Sequence, residues 1–511
     1  MSLGSRRELE LKLELTQAEL QRVRSHPALG VLSTGEPVTR TLRSIYFDTP
    51  DHRLRAHGIS VRVRSDGNGW RQTVKTGTAV AKGVSNPVEV EDAIERPLPD
   101  LRLIGDHRVR RKVEKAVDAK SLEPVFETVV ERTTRQLHSA EGEVELALDE
   151  GVVRAGSAQD ALCEAELELK SGRPECLLHT ATELFAATPL RLATSSKAER
   201  GYGLALADAK DHFEPLRAEP PRLNPGHTCG EALGFIVQSA VAQIAANRQS
   251  VMESEDSAAA HQLRIGLRRL RSALAAFRPL ADTPALREFE GHARTLARNV
   301  GELRDADVLI EDIFAPVAAL MQEGEGAARV RAALLAHRAG ARERVRSALG
   351  GEQWSVLQLH FALWPRMLDE AGDLDAPVTK LARSALKKRW RKVAESGRRL
   401  EELTVEERHA MRKALKTLRY TAEFFASLYP PRKTRPFIKQ IRNLQEVFGY
   451  LNDVAAAKRL DAICHDACAE SREAQRAAGF VLGWHSAQAA RAWKSAHKGW
   501  KKLEGLHRFW A

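Results

Sequence analysis

Three carboxylates and an ammonium stand on one side of the stretch 8–15, where Glu8, Glu10, Lys12 and Glu14 alternate with four leucines. A two-residue period is that of a β-strand, so the leucines share one face and the charges the other. A single strand of this kind is commonly half-exposed, with its charges in water. Here the pattern recurs. Arg62 and Arg64 oppose Val61 and Val63; Arg71, Thr73 and Lys75 share a face; Glu89 and Glu91 oppose Val88 and Val90. Residues 143–149 alternate up to Asp149, and Glu164, Glu166, Glu168 and Lys170 oppose Ala165, Leu167 and Leu169. Carboxylates on adjacent strands suit hard divalent cations, which take oxygen ligands. Rows of Arg and Lys facing them suit phosphates, with the planar fork of arginine favoured. Together they describe a pocket for a metal–polyphosphate complex, in which positioning and charge neutralisation account for most of the catalysis. No phosphate-binding glycine loop, nucleophilic serine or cysteine site, or dinucleotide fingerprint is present.

The elements that would position these residues are strands closing into a barrel or tunnel with a charged lumen and an apolar outside. Thr16, followed by Glu19, has the capping-box form and predicts a helix to about Ser25. Further helices are expected over about 106–118 and 174–187. The long strand 126–137 is ambiguous in its faces, because Arg132 and Arg135 point opposite ways. In this order, Glu8, Glu10 and Lys12, the Arg62/Arg64 pair, Lys75, Asp149, the Glu166/Glu168 pair and Lys197-Ala198-Glu199-Arg200-Gly201-Tyr202 resemble the signature series of the CYTH superfamily, the triphosphate tunnel metalloenzymes. The resemblance covers about 6–205. It implies an eight-stranded antiparallel β tunnel with flanking helices and attack on a triphosphate dependent on Mg²⁺ or Mn²⁺. By the same resemblance Glu8, Glu10 and Lys12 stand at the catalytic centre. Glu8, Glu10, Asp149, Glu166 and Glu168 would hold the metal, and Lys12, Arg62, Arg64, Lys75, Arg132 and Lys197 the phosphates.

With 511 residues, the chain is too long for one core. Its net charge of +11 is unevenly spread: 32 Lys and Arg against 35 Asp and Glu over 1–220 give −3, and the remaining 47 against 33 give +14. The second half therefore seeks a polyanion. Five scattered cysteines, Cys464 and Cys468 one turn apart among them, form neither a disulfide framework nor a zinc spacing. No apolar run is read as membrane-spanning, and the charged N-terminus is unlike a signal peptide. A soluble cytoplasmic protein with no membrane partner is expected. The domains read as 1–207, a proline-rich linker over 208–224, and an all-α region over 225–511.

Within that region an internal repeat appears. His261, Arg264, Arg268 and Arg271 recur as His409, Arg412, Lys416 and Arg419, and Gly301, Leu303 and Asp305 recur as Gly449, Leu451 and Asp453, each at an offset of 148. Two related helical bundles follow, about 225–350 and 375–511, joined by a less regular connection that includes 354–374. Steps of three and four put each basic set on one helical face, where leucines ordinarily stand, so the stripes read as a binding surface in which histidine donates to phosphate. These residues resemble the CHAD domain, a helical module named for its histidines and found behind CYTH domains. The resemblance implies binding of inorganic polyphosphate, by His261, Arg264, Arg268, Arg269, Arg271 and Arg304 in the first repeat and by His409, Arg412, Lys416 and Arg419 in the second. The second repeat departs from the pattern, with Thr417 in place of Arg269 and Asn452 in place of Arg304.

The expected protein is a divalent-metal-dependent inorganic triphosphatase, cleaving tripolyphosphate to pyrophosphate and phosphate, with a helical domain that binds long-chain polyphosphate. A class IV-type adenylate cyclase, another organic triphosphatase, and a non-catalytic polyphosphate adaptor remain alternatives. Nucleic acid is disfavoured, because the basic stripes lack interleaved aromatics and Trp484, Trp493, Trp500 and Trp510 read as helix packing.

Overall fold

A computed structural model describes residues 9–510 other than 68, 77–83, 86–87, 119, 186–190, 194–195, 207–214, 322–323, 365–367, 369–372, 458, 461 and 464–470. Glu8 and the Cys464/Cys468 pair lie outside the described residues. The chain divides into two compact units, one of residues 1–211 with 350–367 and the other of 212–349 with 368–511.

The first unit is built on strands β1 (Leu9–Glu14), β2 (Val38–Asp48), β3 (Ile59–Ser65), β4 (Trp70–Thr76), β5 (Val84–Ser85), β6 (Val88–Ile94), β7 (Glu123–Ser139), β8 (Gly142–Ala155), β9 (Ala158–Gly172) and β10 (Arg191–Leu192). All pairings are antiparallel, in the order β10-β1-β9-β8-β7-β2-β3-β4-β6, with β5 also on β1. The expected antiparallel, tunnel-like sheet with flanking helices is present; among the described residues it has ten strands, not eight, and is not closed. The free side of β1 is met by two-residue segments, Val84–Ser85 opposite Glu10 and Leu11 and Arg191–Leu192 opposite Leu13 and Glu14, so among the described residues no continuous ladder completes the ring. The chain itself nearly bridges the gap, since β5 on β1 and β6 on β4 are separated by only two residues.

The period-two pattern decides the faces. Leu11 and Leu13 of β1 and Leu167 of β9 are fully buried on the outer face, on the side that α1 (Gln17–Arg24) and α5 (Pro174–Phe185) help to cover. Thr16 and Glu19 form the reciprocal capping box at α1. Strands β2 and β3 are connected through α3 (Arg53–Ala56), which follows α2 (Pro27–Leu32); α4 (His107–Val117) buries Val109 and Val113 with Val61 and Val74. The last helix of this segment, α6 (Lys197–Leu206), packs on β7, β8 and β9. Its Ala198 and Tyr202 join Leu42, Tyr46, Phe126, Val130 and Leu162 in one apolar cluster. Gly201 lies so close to Phe126 that a Cβ there would sit 2.1 Å from the ring, which explains the glycine. The Tyr202 hydroxyl donates to the buried Asp48 carboxylate at 2.6 Å, and the backbone N–H groups of Thr49, Leu54 and Arg55 donate to the same group.

The second unit is helical among the described residues: α7 (Cys229–Glu253), α8 (Ser257–Phe277), α9 (Pro284–Val308), α10 (Ala315–Ala318) and α11 (Glu325–Gly350) precede α13 (Val378–Arg398), α14 (Val405–Phe425), α15 (Pro431–Ala456) and α16 (Arg472–Glu504). Between them, α12 (Glu352–Leu363) belongs to the first unit, where it packs on α5 and β10. Much of the stretch expected as an irregular connection is therefore a helix, burying Trp354, Leu357, Leu359 and Leu363. Helix α7 also corrects an expectation: at 25 residues and a mean hydropathy of 1.3 over its most apolar window, it is long and apolar enough to cross a membrane. Half of that window is buried, with α7 packed against α8. The repeats meet where α8 and α14 pack together, Phe277 lying 6.1 Å from Phe425.

Candidate functional site

Register brings the charged faces of the first unit to one side of the sheet. Lys12 stands opposite Glu166, Asp149 opposite both Glu164 and Arg132, Tyr46 opposite Arg62, Ser44 opposite Arg64, and Lys75 opposite Glu89. This settles the ambiguous strand: Arg132 is on the charged face. Its Nε and Nη2 donate to the two oxygens of Asp149 at 2.7 and 2.6 Å, and Nη2 also donates to Glu166 at 2.6 Å.

Asp149, Glu164 and Glu166 are all buried, and each offers an oxygen within 4.8 Å of the others. Buried carboxylates at that separation need cations between them. The Lys197 ammonium, from the first turn of α6, supplies one: it lies 3.0 Å from Asp149, 2.8 Å from Glu166, and in contact with Glu164. Lys12 adds contacts of 2.9 Å to Glu166 and 3.0 Å to Glu10. Burial alone would raise Glu166, but Arg132, Lys12 and Lys197 hold it well below the usual carboxylate range. Glu10 goes the other way, raised by burial and by the Glu166 charge. Such a donor set of clustered carboxylate oxygens fits a hard divalent cation.

The opposite wall is basic. Lys75 contacts Glu89 at 2.6 Å and Arg62 contacts it at 3.3 Å. Arg64 has no carboxylate within 4.0 Å among the described residues; its Nε donates to Ser44 Oγ at 3.0 Å. Burial, with Arg62 and Arg132 nearby, pushes it down to about 10. Lys75 is likewise lowered, by burial and by Arg62.

Of the residues assigned here from the sequence, Glu10, Lys12, Arg62, Arg64, Lys75, Arg132, Asp149, Glu166 and Lys197 share this interior. Glu168 stands opposite Glu10 in register but is outside the group of Asp149, Glu164 and Glu166, and it pairs with Lys170 at 2.7 Å. Glu164 joins this carboxylate group without having been assigned to it, although its position in the alternation two residues before Glu166 was a sufficient signal.

In the second unit, α8, α9, α14 and α15 enclose a cavity of about 730 Å³, to which α16 contributes Ala489. His261, Arg264, Arg268, Arg304, His409, Arg412 and Lys416 line it. The repeat is visible in its contacts: Arg264 pairs with Asp305 at 2.8 Å, and Arg412 with Asp453 at 3.8 Å. The His409 ring meets Asn452 at 2.6 Å. Cations outnumber their partners, and the crowding has a cost. Burial, then Arg304 and Arg264, push His261 down to about 4; burial, then Arg268 and Arg412, push Lys416 down to about 6.

Arg269, Arg271 and Arg419 do not line the cavity. Arg269 is buried, donating to Ser239 at 3.2 Å with its guanidinium over Phe424. Arg419 lies over Tyr420 and 4.0 Å from Glu423. One helical step separates Arg269 from Arg268, enough to turn it from the cavity into the packing. Arg408 and Arg459 line the cavity without having been assigned to it: Arg408 covers Trp493 at 4.0 Å and Arg459 pairs with Asp305 at 3.1 Å. Neither has a counterpart in the basic stripe, so the repeat gave no signal for them.

The CYTH domain family matches residues 6–202, and the CHAD domain family matches 235–460. An inorganic triphosphatase of Haemophilus influenzae is 29% identical over 163 residues, 32% of this chain and 45% of that protein. The match thus spans under half of that relative's length. An uncharacterized protein of Mycobacterium tuberculosis is 26% identical over 428 residues, 77% of each chain. A solved CHAD domain from the plant Ricinus communis aligns with a TM-score of 0.50 and 25% identity, covering 58% of this chain and 98% of that one. The matched segments follow the two charged sites in order, and the chain belongs to the proteins in which a CYTH domain is followed by a CHAD domain.

Proposed function

We propose that the first unit is a divalent-metal-dependent inorganic triphosphatase acting in the cytoplasm, and that the cavity of the second binds inorganic polyphosphate. The observation that carries the reading is Arg64. A half-buried guanidinium that has no carboxylate partner among the described residues, beside Arg62 and facing a carboxylate group across the same interior, is suited to receive an anion. A triphosphate supplies that anion and spans from the basic wall to Lys12. The resemblance to a triphosphatase over part of the chain supports the same chemistry.

Asp149, Glu164 and Glu166, with Glu10 beside them, would hold Mg²⁺ or Mn²⁺, which when bound neutralises phosphoryl charge and polarises the bond to be cleaved. Arg62, Arg64 and Lys75 bind and orient the phosphates. Lys12 sits between the two sets, placed to neutralise charge that develops on the phosphate next to the carboxylates. Arg132 keeps Asp149 and Glu166 aligned through its fork.

The test is a phosphate-release panel with tripolyphosphate, thiamine triphosphate and ATP, each with Mg²⁺ and with Mn²⁺, alongside analysis for cyclic nucleotide. Release of phosphate from tripolyphosphate, abolished in Arg64→Ala by a rise in KM, is the expected result. Cyclic AMP and pyrophosphate from ATP without tripolyphosphate turnover overturns it.

A further inference from the structure

Helix α13 carries eight Lys and Arg side chains against a single acid, Glu395, and no residue of it lines the cavity. Arg383 and Arg389 are tied inward, to the carbonyls of Trp510 and Ala275 at 3.1 and 3.2 Å. The rest point out. Lys380, Lys387, Lys388, Arg391, Lys392 and Arg398 are exposed, and none has an ion-pair partner among the described residues. Spacing concentrates the charge further. Lys387 with Arg391, and Lys388 with Lys392, are i,i+4 pairs of like sign, which weaken a helix rather than stabilise it. The row from Lys380 to Arg398 runs about 27 Å along the axis at 1.5 Å per residue.

Buried residues keep this helix in place despite the repulsion: Ala382, Leu386, Trp390 and Val393 form its inner stripe, and Trp390 stacks on Trp500 of α16 at 5.8 Å. Lys494, Lys498 and Lys501 of α16 are exposed and equally unpaired among the described residues. Trp390 and Trp500 are buried beneath the helix, not exposed among its lysines. No large apolar side chain of α13 is exposed, so the surface has neither a platform for stacking bases nor a wedge for lipid. What remains is recognition of a flexible chain of charge alone.

We infer that the outer face of α13 is a second track for inorganic polyphosphate, engaged only by chains too long to be held by the cavity. The inference rests on the reading that the cavity binds polyphosphate. The two sites then act on one ligand: the cavity takes a short run of phosphates, and the remainder of a long chain finds α13 at high effective concentration. Short chains gain nothing from the helix.

The experiment uses the full-length protein and a variant carrying Lys387→Gln, Lys388→Gln, Arg391→Gln and Lys392→Gln, with a second variant in which the three lysines become arginine. Tripolyphosphate and polyphosphate of about one hundred units are titrated at two salt concentrations, with circular dichroism as the check on folding. In the glutamine variant long-chain affinity should fall by about tenfold or more. By analogy with counterion release from single strands, its salt slope should drop by up to about 3. Tripolyphosphate affinity should be unchanged, and the arginine variant should match the parent chain. Equal long-chain affinity in the glutamine variant overturns the inference, as does equal loss for both lengths or a larger loss for single-stranded RNA than for polyphosphate. Failure of the parent chain to bind tripolyphosphate or long-chain polyphosphate would instead count against the cavity reading on which the inference depends.

Discussion

Lys416 offers the sharpest check on the helical cavity. Burial and the neighbouring Arg268, Arg412 and Arg264 hold its ammonium down to about 6 against an ordinary 10.5, so the free protein at pH 7.5 keeps it almost wholly unprotonated. A phosphate chain lying between these cations reverses the balance and restores the proton. Binding long-chain polyphosphate at pH 7.5 should therefore take up about one proton, and affinity should fall up to tenfold per pH unit as pH rises through 7 to 9, equivalent to about 1.4 kcal/mol per unit. Titration calorimetry in two buffers of different ionisation enthalpy measures the uptake directly. Lys416→Met should remove that proton and flatten the pH dependence, and protons bound by the ligand cancel in the comparison. The same group sets the sign of a stability effect. A folded-state value below the unfolded one means that the unfolded chain binds more protons between about pH 6 and 10.5, so stability rises with pH across that window, and less so in Lys416→Met. No proton uptake at pH 7.5, or equal uptake in the variant, would refute the reasoning.

Three further outcomes concern the first unit. Glu10→Gln should cost at least ~100-fold in tripolyphosphate turnover with an unchanged circular dichroism spectrum, because it removes a charge at the carboxylate group without changing shape. Lys197→Met removes the ammonium that competes for Asp149, Glu164 and Glu166, so Mn²⁺ affinity read by electron paramagnetic resonance should rise about tenfold while turnover falls; unchanged Mn²⁺ affinity would show that Lys197 is no competitor. Gly201→Ala drives a methyl into the Phe126 ring and should destabilise the protein by about 1–3 kcal/mol in denaturant titration.

Strand faces were legible because alternation is a local property: Leu11, Leu13, Glu166 and Asp149 each lie where the period of two puts them. The fixed offset of 148 was similarly informative about the repeat, and the structure adds that the Arg264–Asp305 pair recurs at that offset as Arg412–Asp453. What failed was long-range. Nothing in its own sequence says that Lys197 reaches three carboxylates, since that depends on α6 entering against Phe126 and Tyr46. The charge pattern equally could not separate Arg268 from Arg269, because adjacent basic residues on a helix differ only in which neighbour they meet. The short strands β5 and β10 carry too few residues for any period to appear.

The membership of α12 in the first unit bears on synthesis at the ribosome. The sheet's strands are complete by Leu192, yet the helix that packs on α5 and β10 is not made until residue 363. At roughly 5–20 residues per second, the intervening ~170 residues take on the order of 10–35 s to translate. During that interval the apolar side of α5 awaits its cover while the first helical repeat is emerging. A fragment cut in the linker lacks α12, so supplying residues 350–367 as a separate peptide or a fused segment is expected to raise its solubility more than moving the cut within the proline-rich stretch.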